Sequence, residues 1–167
     1  MIEIKEYDEK YVEQISNIIT RNLLEVNSKD YGIESVMKMA KDFTVDKLKD
    51  TLKNRTKVFV ALKDDEVVGT ASIDLSWYNP DEYWILSVFV KPENHCEGIG
   101  KLLIKSIEKY AINSNFKKLI IPASITANEF YHKLGYNYKD NKKVLNSENL
   151  YLMEKTFQLN FRKIEKE

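Results

Sequence analysis

Only one cysteine, three prolines and five glycines occur among the 167 residues, and neither sign of charge is in excess. The lone Cys96 excludes an internal disulfide and suits a reducing compartment. Lys plus Arg, 26, equals Asp plus Glu, 26, so the chain lacks the basic surplus of a general nucleic-acid binder. No run nears the roughly 18 apolar residues that span a membrane. The opening Met1-Ile2-Glu3-Ile4-Lys5-Glu6 has no apolar core of signal-peptide type. These absences lead to the expectation of a cytoplasmic protein that engages neither membrane nor nucleic acid; the choice between monomer and homodimer is left open.

What is present suits one globular domain. Apolar residues make up 43% and charged residues 31%, and the length is enough to bury a core. Residues 1–156 read as the domain and 157–167 as a charged tail, of which Arg162–Glu167 is expected to fray. With glycine and proline sparse, each one punctuates.

Residues 2–6 alternate as a short strand, and Asp8 is placed to cap a helix carrying Tyr11, Ile15, Ile18, Ile19 and Leu23 on one face. Past Gly32, Val36, Met37 and Ala40 mark one short helix; Thr44 caps another with Val45, Leu48 and Leu52 inside. The period then changes to two. Lys57–Leu62 reads as a strand, Asp64-Asp65 as a turn, Val67–Leu75 as the return strand and Tyr83–Val90 as a further strand. Ile99, Leu102, Leu103, Ile107, Tyr110 and Ala111 form one face of an amphipathic helix. Lys118–Ala123 is a strand, Ala127–Leu134 a short helix with Gly135 at its C-terminus, and strands near Tyr136–Lys139 and Leu150–Thr156 complete the order β-α-α-β-β-β-α-β-α-β-β. The fold class is α/β with a mixed sheet. Trp77, Tyr78, Tyr83 and Trp84 gather around Pro80 and read as a packed strand end.

The segment Val88-Phe89-Val90-Lys91-Pro92-Glu93-Asn94-His95-Cys96-Glu97-Gly98-Ile99-Gly100-Lys101 carries chemistry. A strand runs into a loop whose two glycines open directly into a helix. Unpaired N–H groups at a helix start, with no Cβ in the way, hold a phosphate or pyrophosphate. A P-loop is excluded because Leu102 stands where the metal-binding hydroxyl belongs, and a dinucleotide fingerprint because residue 103 is Leu.

The spacing resembles the acyl-CoA loop of the GNAT superfamily of N-acetyltransferases, Gln/Arg-x-x-Gly-x-Gly/Ala, here His95-x-x-Gly98-x-Gly100. His95 and Cys96 depart from the usual residues. A second segment resembles the family's Ala-x-x-Phe/Leu-Tyr-x-Lys-Leu-Gly-Phe/Tyr through Ala127, Phe130, Tyr131, Lys133, Leu134, Gly135 and Tyr136. Ser124 stands where many members carry Asn.

The resemblance implies a single GNAT domain with a mostly antiparallel sheet flanked by helices, and acetyl-CoA as co-substrate with no metal. It implies that strand 83–90 bulges and splays from strand 118–123, so that the pantetheine arm pairs with backbone groups of Val88 and Val90. Val88, Phe89, Val90, His95, Cys96, Glu97, Gly98, Ile99, Gly100, Lys101, Ser124, Asn128 and Tyr131 are the expected cofactor contacts. The acceptor is a primary amine on a small molecule, a protein N-terminus or a lysine. An amine with a pKa of ~10.4 is neutral in only about one molecule in 2,500 near pH 7, a cost of roughly 4.6 kcal/mol. A base is therefore wanted, and Glu82 is the first choice, with Asp81 and Asp74 beside it. A backbone N–H of Val88 or Phe89 is the expected oxyanion donor. Tyr131, protonated at neutral pH, is the expected acid for the leaving thiolate. A catalytically weak acyl-CoA sensor is the alternative. Adjacent His95 and Cys96 do not form a nucleophile–base pair, and His95 and His132 lack metal-ligand spacing.

Overall fold

In the computed structural model, which describes residues 1–158, seven strands form one sheet in the order β1-β2-β3-β4-β5-β7-β6. They are β1 (Ile2–Glu6), β2 (Lys57–Lys63), β3 (Glu66–Leu75), β4 (Tyr83–Val90), β5 (Lys118–Ala123), β6 (Asn137–Tyr138) and β7 (Tyr151–Thr156). All neighbours run antiparallel except β4 and β5, so the sheet is mixed and mostly antiparallel, as expected. Asp64 and Asp65 both adopt left-handed φ values, 51° and 64°. That is the backbone of a tight two-residue hairpin turn, tolerated by Asp because its short side chain bonds locally. Arg162–Glu167, expected to fray, lies outside the described residues.

Helices cover both faces. On one, α1 (Val12–Asn22), α3 (Ile33–Ala40) and α4 (Val45–Asn54) bury Ile15, Ile18, Ile19, Val36, Leu48 and Leu52 against Val58, Val60, Leu62 and Val67. On the other, α5 (Ile99–Asn113) buries Ile99, Leu103, Ile104, Ile107 and Ala111 against Val68, Ala71, Ile73, Ile85, Leu119 and Ile121. Each fully buried Leu or Ile contributes about 2 kcal/mol through lost apolar exposure.

Several expectations are corrected. Asp8 accepts from Lys10 N at 2.9 Å, capping a 3-10 turn (Glu9–Tyr11) that precedes α1 rather than α1 itself. Thr44 begins α4, but its side chain makes no capping bond. Leu102 lies outside the α5 core stripe, which takes Ile104 instead, and Met37 is likewise exposed. Between α1 and α3 the chain makes a π-helical turn, Leu23–Asn27, and the four-residue α2 (Ser28–Tyr31). The aromatic cluster divides. Tyr83 stacks on Phe116 with ring centroids 3.5 Å apart, while Trp77 and Tyr78 stand 90% and 89% exposed on the β3–β4 loop.

Strand β4 is irregular along both of its edges. Thr70 pairs with Phe89 and Ser72 with Leu86, so Ser87 and Val88 together oppose Ala71: a β-bulge with Ser87 at φ 54°. On its other side β4 pairs with β5 only at Tyr83–Leu119 and Trp84–Ile120. Beyond those pairs the two strands diverge.

Candidate active site

The divergence of β4 and β5 opens a crevice of about 690 Å³. One wall is Val88, Phe89 and Val90; another is the start of α5; a third is the short helix α6 (Asn128–Lys133) with the turn before it. The site is thus assembled where a parallel strand pair is prised apart, with a helix start at its mouth.

At that mouth the chain turns through Cys96 (φ 63°) and Gly98 (φ 80°). The first helical bond is Leu102 N to Gly98 O, 3.1 Å. Among the described residues, no backbone or side-chain acceptor engages the N–H groups from Cys96 to Lys101. Unpaired donors in a row at the positive end of a fifteen-residue helix form an anion cradle. A Cβ on Gly98 would meet nothing within 4 Å, so the glycine is there for its backbone and leaves open space above the donors. Lys101 and Lys133, which also line the crevice, add positive charge.

Deeper in the crevice stands Tyr131, held by the end of α6. Its carbonyl accepts from Leu134 N (3.0 Å) and Tyr136 N (3.1 Å), and Gly135 takes the left-handed turn at φ 94°. Phe130 and Tyr136 pack edge-on to its ring. Burial pushes the Tyr131 hydroxyl well above the ordinary phenol range, so it keeps its proton through neutral pH. Tyr136 donates to Glu108 at 3.1 Å, and Lys155 reaches the same carboxylate at 3.0 Å. Among the described residues the Tyr131 hydroxyl has no such protein partner.

The sequence model of the Acetyltransferase (GNAT) family matches residues 20–136. The chain belongs to this family. It is 33% identical over 82 residues to an uncharacterized N-acetyltransferase of Methanocaldococcus jannaschii, a match covering 47% of this chain and 51% of that one. Against an uncharacterized N-acetyltransferase of Bacillus subtilis it is 24% identical, over 78% of this chain and 91% of that one. The fold resembles that of PaiA N-acetyltransferase from Thermoplasma acidophilum, solved in complex with coenzyme A. The TM-score is 0.79 at 17% identity, over 94% of this chain and 99% of that one.

As a GNAT chain it brings most of its expected site residues together. Val88, Phe89, Val90, His95, Cys96, Gly98, Ile99, Gly100, Lys101, Ser124 and Tyr131 all line the crevice. Ser124 also starts α6: its hydroxyl and carbonyl both accept from Ala127 N, at 3.2 and 3.1 Å. Glu97 keeps its N–H in the cradle but not its side chain, and Asn128 does not line the crevice. Glu97 turns outward to Lys63 and Asn94, both at 3.2 Å. Asn128 is buried between Ile125 O and the Tyr138 hydroxyl, each at 2.6 Å, and ties α6 to β6.

The proposed bases are not brought in either. Glu82 sits ahead of β4, at the closed end of the strand pair, with Lys139 4.0 Å away. Asp74 accepts from the Thr56 hydroxyl at 3.0 Å and faces Arg55. Asp81, in the β3–β4 loop, does not line the crevice. His95 and His132 each use a ring nitrogen on a backbone carbonyl, of Val90 at 2.8 Å and of Tyr136 at 3.2 Å.

Sequence reading missed Asn22, Val26 and Asn27, which enter the crevice from the end of α1 and the π-turn. The one available signal was a polar Asn22 beside the apolar stripe that ends at Leu23. It also passed over Phe130 and Lys133, both inside the second motif, as crevice residues.

Proposed function

We propose that the protein transfers the acetyl group of acetyl-CoA to a primary amine, by direct attack with both substrates bound. The observation that carries the reading is the run of unpaired N–H groups from Cys96 to Lys101, opening into a crevice that contains the protonated Tyr131. When bound, acetyl-CoA supplies an acyl thioester; this chain's residues hold it, polarise it and protonate what leaves.

The glycine turn fits a pyrophosphate, because it offers backbone donors without side chains and two lysines nearby. Residues freed by the bulge offer the crevice backbone groups that β5 would otherwise have used. The N–H of Val88 or Phe89 is suited to donate to the thioester oxygen as negative charge grows there. Tyr131 donates its phenolic proton to the departing thiolate sulfur, and solvent reprotonates it between turnovers. Among the described residues no carboxylate lines the crevice. Loss of the amine proton is therefore assigned to water, with Glu82 outside the reacting centre.

The acceptor is a small-molecule amine, a protein N-terminus or a lysine. The test is to incubate the protein with acetyl-CoA and a panel of these amines, following thiol release and the mass of each amine. A mass gain of one acetyl group on any of them supports the reading. Cofactor binding without transfer to any amine of the three classes would replace it with an acyl-CoA sensor.

A further inference from the structure

We infer that Asn22 and His95 form a clamp on the carbonyl of Val90 that positions the end of β4 for the cofactor. The clamp has this role only if the crevice holds acetyl-CoA, as proposed.

The direction of the Val90 carbonyl follows from the ladder. Lys91 N donates to Val68 O at 2.8 Å, and Val90 stands opposite Gly69. Antiparallel pairs alternate between bonded and non-bonded, so residues 89 and 91 bond to β3 while Val90 turns its N–H and C=O away from it. A carbonyl there would be open to a ligand lying along the strand. It is not open, because two side chains already hold it. Asn22 Nδ2 donates to Val90 O at 2.8 Å and to Ile18 O at 2.9 Å, from a side chain only 4% exposed. His95 Nε2 approaches the same oxygen at 2.8 Å. A carbonyl oxygen only accepts, so His95 Nε2 must carry a hydrogen. Two donors occupy both lone pairs.

The clamp holds the Val90 carbonyl inside the protein, while the Val90 N–H, which turns away from β3 like the carbonyl, stays available to a ligand lying along the strand. The clamp also gives His95 a reason to stand where the family pattern has Gln or Arg, since all three side chains carry an N–H able to donate. The clamp joins three elements that meet at the crevice: the end of α1, 68 residues away in sequence; the end of β4; and the turn into α5. Asn22 and His95 are positioning residues. They fix the spacing between the backbone at the bulge and the N–H cradle, and that spacing sets where a bound thioester sits.

The test is acetyl-CoA affinity by calorimetry for the unaltered protein, H95A, H95Q, N22A and the double variant N22A/H95A, each with its thermal midpoint. Loss of one such hydrogen bond weakens binding about tenfold in H95A, with an unchanged midpoint because the ring is exposed. H95Q restores most of the affinity. The double variant loses less than the product of the single losses, because both side chains act on one oxygen. N22A removes a buried group and can fail to fold, so the His95 series decides. Long-range proton–nitrogen NMR of the free protein should also find the His95 proton on Nε2. Equal affinity in H95A and the unaltered protein, or a proton on Nδ1 alone, overturns the clamp. No binding by the unaltered protein overturns the cofactor reading instead.

Discussion

A Cβ placed on Gly100 would come within 3.0 Å of the Phe130 ring, so the first turn of α5 and the start of α6 touch through a glycine. Phe130 is partly exposed and its ring tip is the contact, so it has room to yield. Gly100→Ala should therefore fold and keep acetyl-CoA affinity within a few-fold, with a loss of about 1 kcal/mol in stability. Gly98 differs, because its φ of 80° is left-handed. Gly98→Ala should cost about 1–2 kcal/mol through the backbone alone and distort the N–H cradle. Urea unfolding and calorimetry on both variants would show the order; greater loss of affinity in Gly100→Ala than in Gly98→Ala would contradict it.

Tyr131→Phe keeps the packing and removes only the proton donor. The expected result is a kcat lower by about 10²-fold with an unchanged Kd for acetyl-CoA. Global stability should hold, since no protein group among the described residues bonds that hydroxyl. An unaltered kcat, measured in the absence of a product-release limit, would assign Tyr131 to packing.

Tyr131 and Tyr136 also set the response to alkali. Burial raises both phenols above their ordinary 10.0, and the charge of Glu108 raises Tyr136 further. Above pH ~10 the folded state therefore holds more protons than the unfolded state, and stability falls as pH rises past that point. Denaturant unfolding between about pH 8 and about pH 11 should show the loss beginning near the unfolded phenol pKa. Tyr131→Phe should make the decline shallower. A profile flat through that range would show that neither phenol is buried as described.

With no carboxylate among the described lining residues, the acceptor amine governs its own deprotonation. The logarithm of kcat/KM should rise with a slope of about one until it reaches the acceptor's pKa. Glu82→Gln should leave the shape of that profile as it is. A limb in the acidic range that disappears in Glu82→Gln would return the base role to that residue.

Strand boundaries were legible to within a residue because charged and turn residues punctuate an otherwise apolar pattern: β1, β4 and β5 begin and end where alternation and Lys91-Pro92 indicate. Helical faces were less so. Leu102 and Ile104 fit the 3.6-residue period equally well, and only the approach of the sheet decides which is covered. The stretch from Leu23 to Tyr31 hides a π-turn, since one extra residue per turn leaves no mark in composition.

The crevice divided along the same line. Motifs contiguous in sequence yielded Gly98, Gly100 and Tyr131. Asn22 arrives from a distant helix, and nothing near it in sequence announces Val90. Glu82 is the reverse case: a carboxylate close in sequence to a site strand but at its far end. Glu97 turned outward because Lys63, on the opposite hairpin, draws it away from the cradle.

The central claim is that the crevice between β4 and β5 holds acetyl-CoA. Titration calorimetry of the purified protein with acetyl-CoA, with free CoA and ATP as controls, tests it most directly. Micromolar binding of both CoA species and none of ATP is the predicted result. No heat from either CoA species, with the protein folded, would contradict the account.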